Sequence, residues 1–336
     1  MGASRESQAY FAIASMNAAT AVLLAWFASQ FWDRKWSFFV GILWAGNPLS
    51  LALVSSLCSD VPYATFFVAA AACFWKFACT PRISYFGLAL VGGLLGLALL
   101  LRPAGLFLPF VLAAFLISCV SKPWRQRLAG AVVLLTATLV VVMPWEIEMY
   151  RHTGKVLPLS IGGVPSMIDG FVRPKSSDMN KVSPPLPADV EAFVADLRQK
   201  TEAGEIKDTK QLAAWLVDQT GQRPAAVVKV IGYKLARSWY GTDSRRNETA
   251  ILLMQSLLLS VAVAGGVRAW RCGGSYRELV VLILALVLTT WFMTVIVESL
   301  VRYMMPIMGF LFVLVPAAFC CRSRSVCDGR RNDAEQ

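Results

Sequence analysis

Long apolar runs separated by short charged stretches dominate this chain. Several of the runs approach the ~20 residues that an α-helix needs to cross a bilayer. The pattern predicts nine spans: Gln8–Phe31, Trp36–Leu57, Val61–Cys79, Ser84–Leu101, Gly105–Val120, Leu128–Trp145, Ala250–Trp270, Glu278–Val297 and Val301–Cys321. The second span contains Asn47-Pro48 and should kink there, with a neighbouring helix satisfying the carbonyl that proline frees. Gly92, Gly93 and Gly96 lie inside the fourth and suit close helix packing.

After the sixth run the pattern changes. Val141–Gly163 opens with a stretch ending in Pro144-Trp145, then turns to Glu146, Glu148 and Arg151. Trp145 and Tyr150 are aromatics of the kind found at membrane–water boundaries. Gly154, Gly162 and Gly163 permit tight turns. A helix is therefore expected to leave the bilayer at Pro144-Trp145 and deliver the chain to an aqueous region. Pro174 and Pro184-Pro185-Leu186-Pro187 mark irregular backbone in it. Val190, Phe193, Val194 and Leu197 fall at helical spacing. Asp208 with Gln211 predicts a capped second helix, with Leu212, Trp215 and Leu216 on one face. Pro224 suits the first turn of a third helix carrying Val227, Val228, Ile231 and Leu235. That helix leads to the aromatic pair Trp239-Tyr240.

With 57% hydrophobic and 16% charged residues, the composition excludes an ordinary soluble globule. The expected fold is an all-α polytopic membrane protein with a small helical extracytoplasmic domain. Its divisions are 1–147 (six spans), 148–248 (the loop domain), 249–321 (three spans) and 322–336 (a cytoplasmic tail). The net charge of +11 acquires meaning from its distribution. Arg34 and Lys35, Lys76 and Arg82, Lys122, Arg125 and Arg127, Arg268, Arg271 and Arg277, and the tail arginines share one set of loops. Asp60, Arg102, Glu298 and Arg302 occupy the short alternate loops. By the positive-inside rule the first set is cytoplasmic, and the N-terminus and the 148–248 region are outside. No cleavable signal peptide is expected, because the first apolar run is too long for one.

The cysteines lie mostly in apolar runs, where they behave as small hydrophobes. They have no zinc-site spacing. Cys320, Cys321 and Cys327 could also carry acyl groups beside the membrane. His152, the single histidine, has no evident partner for a triad or metal site and reads as a loop residue. Asn247-Glu248-Thr249 is a formal glycosylation sequon that abuts a span.

Ionisable groups near the membrane are costly and often functional. Asp60 reads either as the N-cap of the third span or as an acid lining a site. Arg102 either snorkels to the interface or binds a phosphate. Glu298 and Arg302, four residues apart, form a helical ion pair or hold a cation towards a lipid phosphate. Tyr303 follows directly.

The stretch Pro144-Trp145, Tyr150-Arg151, Gly154-Lys155, Pro158-Leu159-Ser160, Gly162-Gly163 resembles bacterial glycosyltransferases of the GT-C type. The similarity is to the protein O-mannosyltransferase-like and lipid A aminoarabinose transferase-like family. The stretches SLCSDVPYATFF, GLALLLRPAG, RSWYGTDS and ESLVRYMMPIM resemble further family segments, in the same order. Met149 departs from it, standing where relatives commonly have Asn.

The resemblance implies transfer of a sugar from a polyprenyl-phosphate donor to a protein, lipid or envelope-glycan acceptor at the outer face of a bacterial inner membrane. Arg102 and Arg302 would bind the donor phosphate, Tyr303 and Glu298 would complete the substrate site, and Asp60 would assist catalysis. A further acid acting as base or as ligand to a divalent metal ion is implied. Family members begin with a cytoplasmic N-terminus, one span and an outer loop bearing the principal catalytic acid. The expectation is therefore an upstream span and loop, without which the chain is an inactive, truncated copy. The competing class is a transporter or permease.

Overall fold

The computed structural model describes residues 2–79, 83–154, 159, 163–172, 187–242 and 247–320. Every regular element among them is helical. In order these are α1 (Gly2–Ala28), α2 (Arg34–Ala45), α3 (Pro48–Val54), α4 (Asp60–Ala78), α5 (Tyr85–Leu101), a 3-10 turn (Pro103–Gly105), α6 (Leu108–Cys119) and α7 (Trp124–Thr153). The polar region supplies α8 (Gly163–Val172), α9 (Ala188–Glu202), α10 (Thr209–Gln222) and α11 (Pro224–Arg237). The chain then returns through α12 (Glu248–Cys272), α13 (Ser275–Ile296) and α14 (Val301–Phe319).

Among the described residues, six helices are long and apolar enough to cross a membrane: α1, α4, α7, α12, α13 and α14. The bent pair α2–α3 makes a seventh if it is one span. The protein is thus a helical, multi-pass membrane protein, with no strand among the described residues. The expected fourth and fifth spans are shorter apolar helices. The 17 residues of α5 measure roughly 25 Å, against a hydrocarbon core of about 30 Å.

The bundle is organised around α14, which is buried on almost every side and packs on α1, α2, α4, α12 and α13. An apolar helix of that kind belongs inside a protein rather than at its surface. Phe310 of α14 makes edge contacts with Phe27 of α1 and Phe67 of α4, at centroid distances of 5.9 and 5.3 Å. Buried polar groups pair between helices: Trp44 Nε1 donates to Asn17 Oδ1 (2.9 Å), and the Thr20 and Thr65 hydroxyls lie 2.8 Å apart.

The kink falls where Asn47-Pro48 places it, with α2 and α3 bent by 52°. The carbonyl that the break frees is satisfied differently from expectation. Ser50 Oγ, from the same segment, donates to Trp44 O and lies 2.9 Å from it. A local hydroxyl reaches that carbonyl without help from a neighbouring helix. The pair still runs the length of the bundle. Trp36 stacks on Phe319 at one end, and Leu49 and Leu53 line a groove with Arg302 at the other.

Pro144 does not end a helix. α7 continues through it to Thr153 and stops at Gly154, whose φ of +66° lies in the left-handed region that glycine tolerates. One lost backbone bond is too small a penalty to terminate a 30-residue helix. His152 is accordingly an exposed helical residue, not a loop residue, and pairs with Glu148 at 2.8 Å. Gly163 begins α8 rather than forming a turn. Residues 155–158, 160–162, Pro174 and 184–186 lie outside the described residues.

Of the four glycines in α5, three serve packing: a Cβ on Gly87 would overlap the Phe77 ring. A Cβ on Gly92 would overlap the Leu134 carbonyl of α7, and one on Gly96 would sit 2.6 Å from Val141 Cβ. Gly93 faces open space. Gly92→Ala is expected to cost ~1–3 kcal/mol through overpacking. Gly93→Ala should be neutral or slightly stabilising, because alanine is the better helix former. Thermal inactivation in detergent would compare them, and equal losses would contradict this packing.

The polar region has its own core. Val190, Phe193, Val194 and Leu197 of α9 are all buried, with Leu212 and Trp215 of α10 against them. Phe193 lies 4.8 Å from the Trp215 ring. Asp208 caps α10 through Gln211 N at 2.8 Å, and the Gln211 amide oxygen returns to Lys207 N rather than to the cap residue. Pro224 opens α11. The apolar face of α11 differs from expectation: Ala226, Val227, Val230 and Lys234 are buried, while Val228 and Ile231 are exposed. The helix meets α9 and the end of α13 by that face, and a lysine belongs to it.

Candidate functional site

The sequence singled out Asp60, Arg102, Glu298, Arg302 and Tyr303, and the fold brings all five together at one end of the bundle. Asp60 lies in the first turn of α4, and Arg102 is the residue that ends α5. Arg102 Nη1 and Nη2 approach the two Asp60 carboxylate oxygens at 2.7 and 2.8 Å, a bidentate pair. Its Nε donates to Ser59 Oγ at 3.3 Å. Asp60 is 3% exposed and Arg102 15%, so the pair is largely shielded from solvent. An acid at a helix N-terminus and a cation at a helix C-terminus both complement the helix dipoles. Asp60 is not the N-cap of α4, since Ser59 occupies that position.

The Arg102 guanidinium lies 4.6 Å from the centre of the Tyr303 ring. Tyr303 donates its hydroxyl hydrogen bond to Glu298 Oε2 at 2.7 Å. Glu298 in turn lies 3.7 Å from Arg302 Nη2. One continuous network therefore runs Asp60–Arg102–Tyr303–Glu298–Arg302. The last pair does not share a helix: Glu298 sits in the linker after α13, and α14 begins at Val301. That linker is tied to the segment after α11, since Val301 N donates to Gly241 O at 2.9 Å.

Arg302 borders a groove of about 390 Å³ between α3, the Gly241-Thr242 segment and the start of α14. Leu49, Ala52, Leu53, Leu300 and Val301 make it mainly apolar, with Ser56 and Thr242 as polar groups. A cation and a helix N-terminus at the mouth of an apolar groove suit an amphiphile with an anionic head.

Two groups at this end escaped sequence reasoning. Tyr63 of α4 is 3% exposed, and its hydroxyl comes so close to Gly105 that a Cβ there would sit 3.0 Å away. Lys234 is 1% exposed. Its Nζ lies 3.8 Å from the centre of the Phe171 ring and 3.5 Å from Ile296 O, at the C-terminal end of α13. Burial pushes its pKa down to about 7, a shift that Glu298 opposes. Its place in the apolar period of α11 was the available signal, because position 234 follows 226, 227 and 230 on one face. Arg237 of the same helix pairs with Glu248 at 3.1 Å.

The donor set does not fit a divalent metal. No group of three or more His, Cys, Asp or Glu side chains able to hold one occurs among the described residues. Both Asp60 oxygens face Arg102, and Glu298 faces Tyr303 and Arg302.

Comparison with known proteins finds no matching family model, no matching curated protein and no matching solved structure.

Proposed function

We propose that this protein is a membrane glycosyltransferase that takes its sugar from a polyprenyl-phosphate donor at the outer face of the membrane. The observation that carries the reading is the Arg302-bordered apolar groove beside the five-residue network. The groove would take the start of the prenyl chain. Arg302 would neutralise the phosphate as the bond from sugar C1 to phosphate oxygen breaks, the acceptor hydroxyl or amine bonds to C1, and the acceptor's proton passes to the released phosphate. In this reading Arg102 supports the site through Tyr303, and Asp60 orients Arg102. The bidentate Asp60 pair occupies the guanidinium fork that a phosphate would otherwise use.

The reading takes the bundle as nine crossings, with α2–α3 as one broken span and α5 and α6 as short ones. The network end and the α8–α11 domain are then extracytoplasmic, and the arginine- and lysine-rich end is cytoplasmic. A bacterial inner membrane is the setting implied. A transporter is the weaker reading, because ionisable residues in the spans gather at helix ends rather than near mid-membrane.

Arg302→Ala, purified and reconstituted, is expected to lose binding and transfer of a radiolabelled polyprenyl-phosphate sugar by at least ~100-fold, the loss of a charge-assisted contact of about 3 kcal/mol. Arg302→Lys should retain part of the activity, since the charge survives without the planar fork. Normal transfer by Arg302→Ala, or no donor binding by the parent, would sink the proposal.

A further inference from the structure

A second groove lies at the opposite end of the bundle, on the outward side of α12, α13 and α14. Its volume is about 420 Å³, within the range of about 300–1,000 Å³ usual for small-molecule sites. Ala262 and Gly266 of α12, Leu284 of α13 and Leu314 of α14 shape it. It exists because α12 carries small residues where it crosses α14. At Gly265 the helices touch so closely that a Cβ would overlap the Leu314 carbonyl. At Gly266, one turn position on, a Cβ would meet Leu314 Cδ1 at 3.5 Å, an ordinary contact, so space remains beside it.

The groove has a direction. From Ala262 to Arg271 it follows α12 for about 13 Å at 1.5 Å per residue, close to half of a ~30 Å hydrocarbon core. Its inner end is wholly apolar. Its outer end reaches Trp270 and Arg271, and none of its lining residues is acidic. Arg277 reinforces this end: its Nε donates to Trp270 O at 3.1 Å and its guanidinium lies 5.8 Å from the Trp270 ring. Arg268, donating to Ala318 O at 2.9 Å, adds a third cation.

We propose that this groove is a binding site for one anionic glycerophospholipid, with an acyl chain between α12 and α13 and the phosphate headgroup at Arg271. The dimensions match one leaflet and not a spanning partner helix, and the charge lies only where a headgroup would sit. Basic pockets between membrane helices recognise anionic headgroups in this manner. The inference is independent of sugar transfer, because it uses neither Arg302 nor the groove at the other end. Bound lipid would fill the gap beside Gly266 and brace α12 against α13.

Native mass spectrometry of the full chain, exchanged into equal amounts of dioleoyl phosphatidylglycerol and dioleoyl phosphatidylcholine, tests the site. One phosphatidylglycerol is expected to be retained in preference to phosphatidylcholine. Arg271→Ala, a surface change, should reduce that preference about fivefold, the effect of one arginine at an anionic lipid surface. Gly266→Leu should fill the groove and remove the tightly held lipid. Equal retention of the two lipids by the parent would overturn the proposal. So would unchanged retention in Gly266→Leu, or, in a second exchange with a prenyl monophosphate added in equal amount, its capture in preference to phosphatidylglycerol.

Discussion

Arg102→Ala is expected to destabilise the bundle by about 3–5 kcal/mol, the penalty for leaving one member of a buried ion pair alone. Asp60, 3% exposed, would lose both of its guanidinium contacts. Asp60→Asn should approach the same loss from the other side, with a partly buried arginine deprived of its counter-charge. A paired replacement by apolar residues of similar volume, Asp60→Leu with Arg102→Met, should recover most of the stability, since no buried charge is left unpaired. Exchanging the charges, Asp60→Arg with Arg102→Asp, should recover less. It would set a cation at the N-terminus of α4 and an anion at the C-terminus of α5, against both helix dipoles. Thermal unfolding in one detergent across the four variants measures this. If Arg102→Ala melts with the parent, the pair contributes nothing to holding α4 and α5 together.

Lys234 should make the protein more stable as pH rises above neutrality. In the unfolded chain its ammonium keeps its proton up to about 10.4. In the folded protein burial brings the pKa down to about 7. Between those values the unfolded state holds more protons, so stability increases with pH, and below about 7 this residue adds no slope. A gap of that size corresponds to roughly 5 kcal/mol over the whole window. Glu298 from the α13–α14 linker and Arg237 and Tyr233 from α11 line the same small cleft. Lys234→Met keeps the apolar stem and removes the titrating group. It should flatten the rise between pH 7 and 9.5 and stabilise the protein near neutrality. The measurement is hydrogen exchange in α8 and α11, corrected for intrinsic rates. Parallel pH slopes in parent and variant would show that Lys234 is not the group responsible.

The contact behind that prediction also joins the polar region to the bundle. Lys234 reaches Phe171 of α8 and the end of α13 together. A Cβ on Gly170 would overlap the Val297 carbonyl. The α8–α11 domain is therefore seated on the α13–α14 linker that carries Glu298, and what alters one should be felt at the other.

Hydrophobic run length was enough to place apolar helices before and after a polar, helical region, because burial in lipid leaves a strong local pattern. The kink at Asn47-Pro48, the cap at Asp208 and the buried face of α9 were legible for a similar reason: each depends on residues within one or two turns. Asp60, Arg102, Glu298, Arg302 and Tyr303 could be singled out because charge beside an apolar span is rare and visible.

What the sequence could not determine was who meets whom. Asp60 and Arg102 are 42 residues apart, and only the antiparallel packing of α4 on α5 makes them partners. Arg102 and Tyr303 come from helices remote in the chain, so their stacking is a tertiary fact. The continuation of α7 through Pro144 and the burial of Lys234 were likewise decided by packing. Local propensity sets where a helix can form, while its neighbours set how far it runs and which face is dry. The chain alone determined an apolar, helical, multi-pass protein with charges at the helix ends. The fold alone decided that five of those charged and aromatic residues form one network beside a groove, because distances between helices are set by side-chain packing that no single segment encodes.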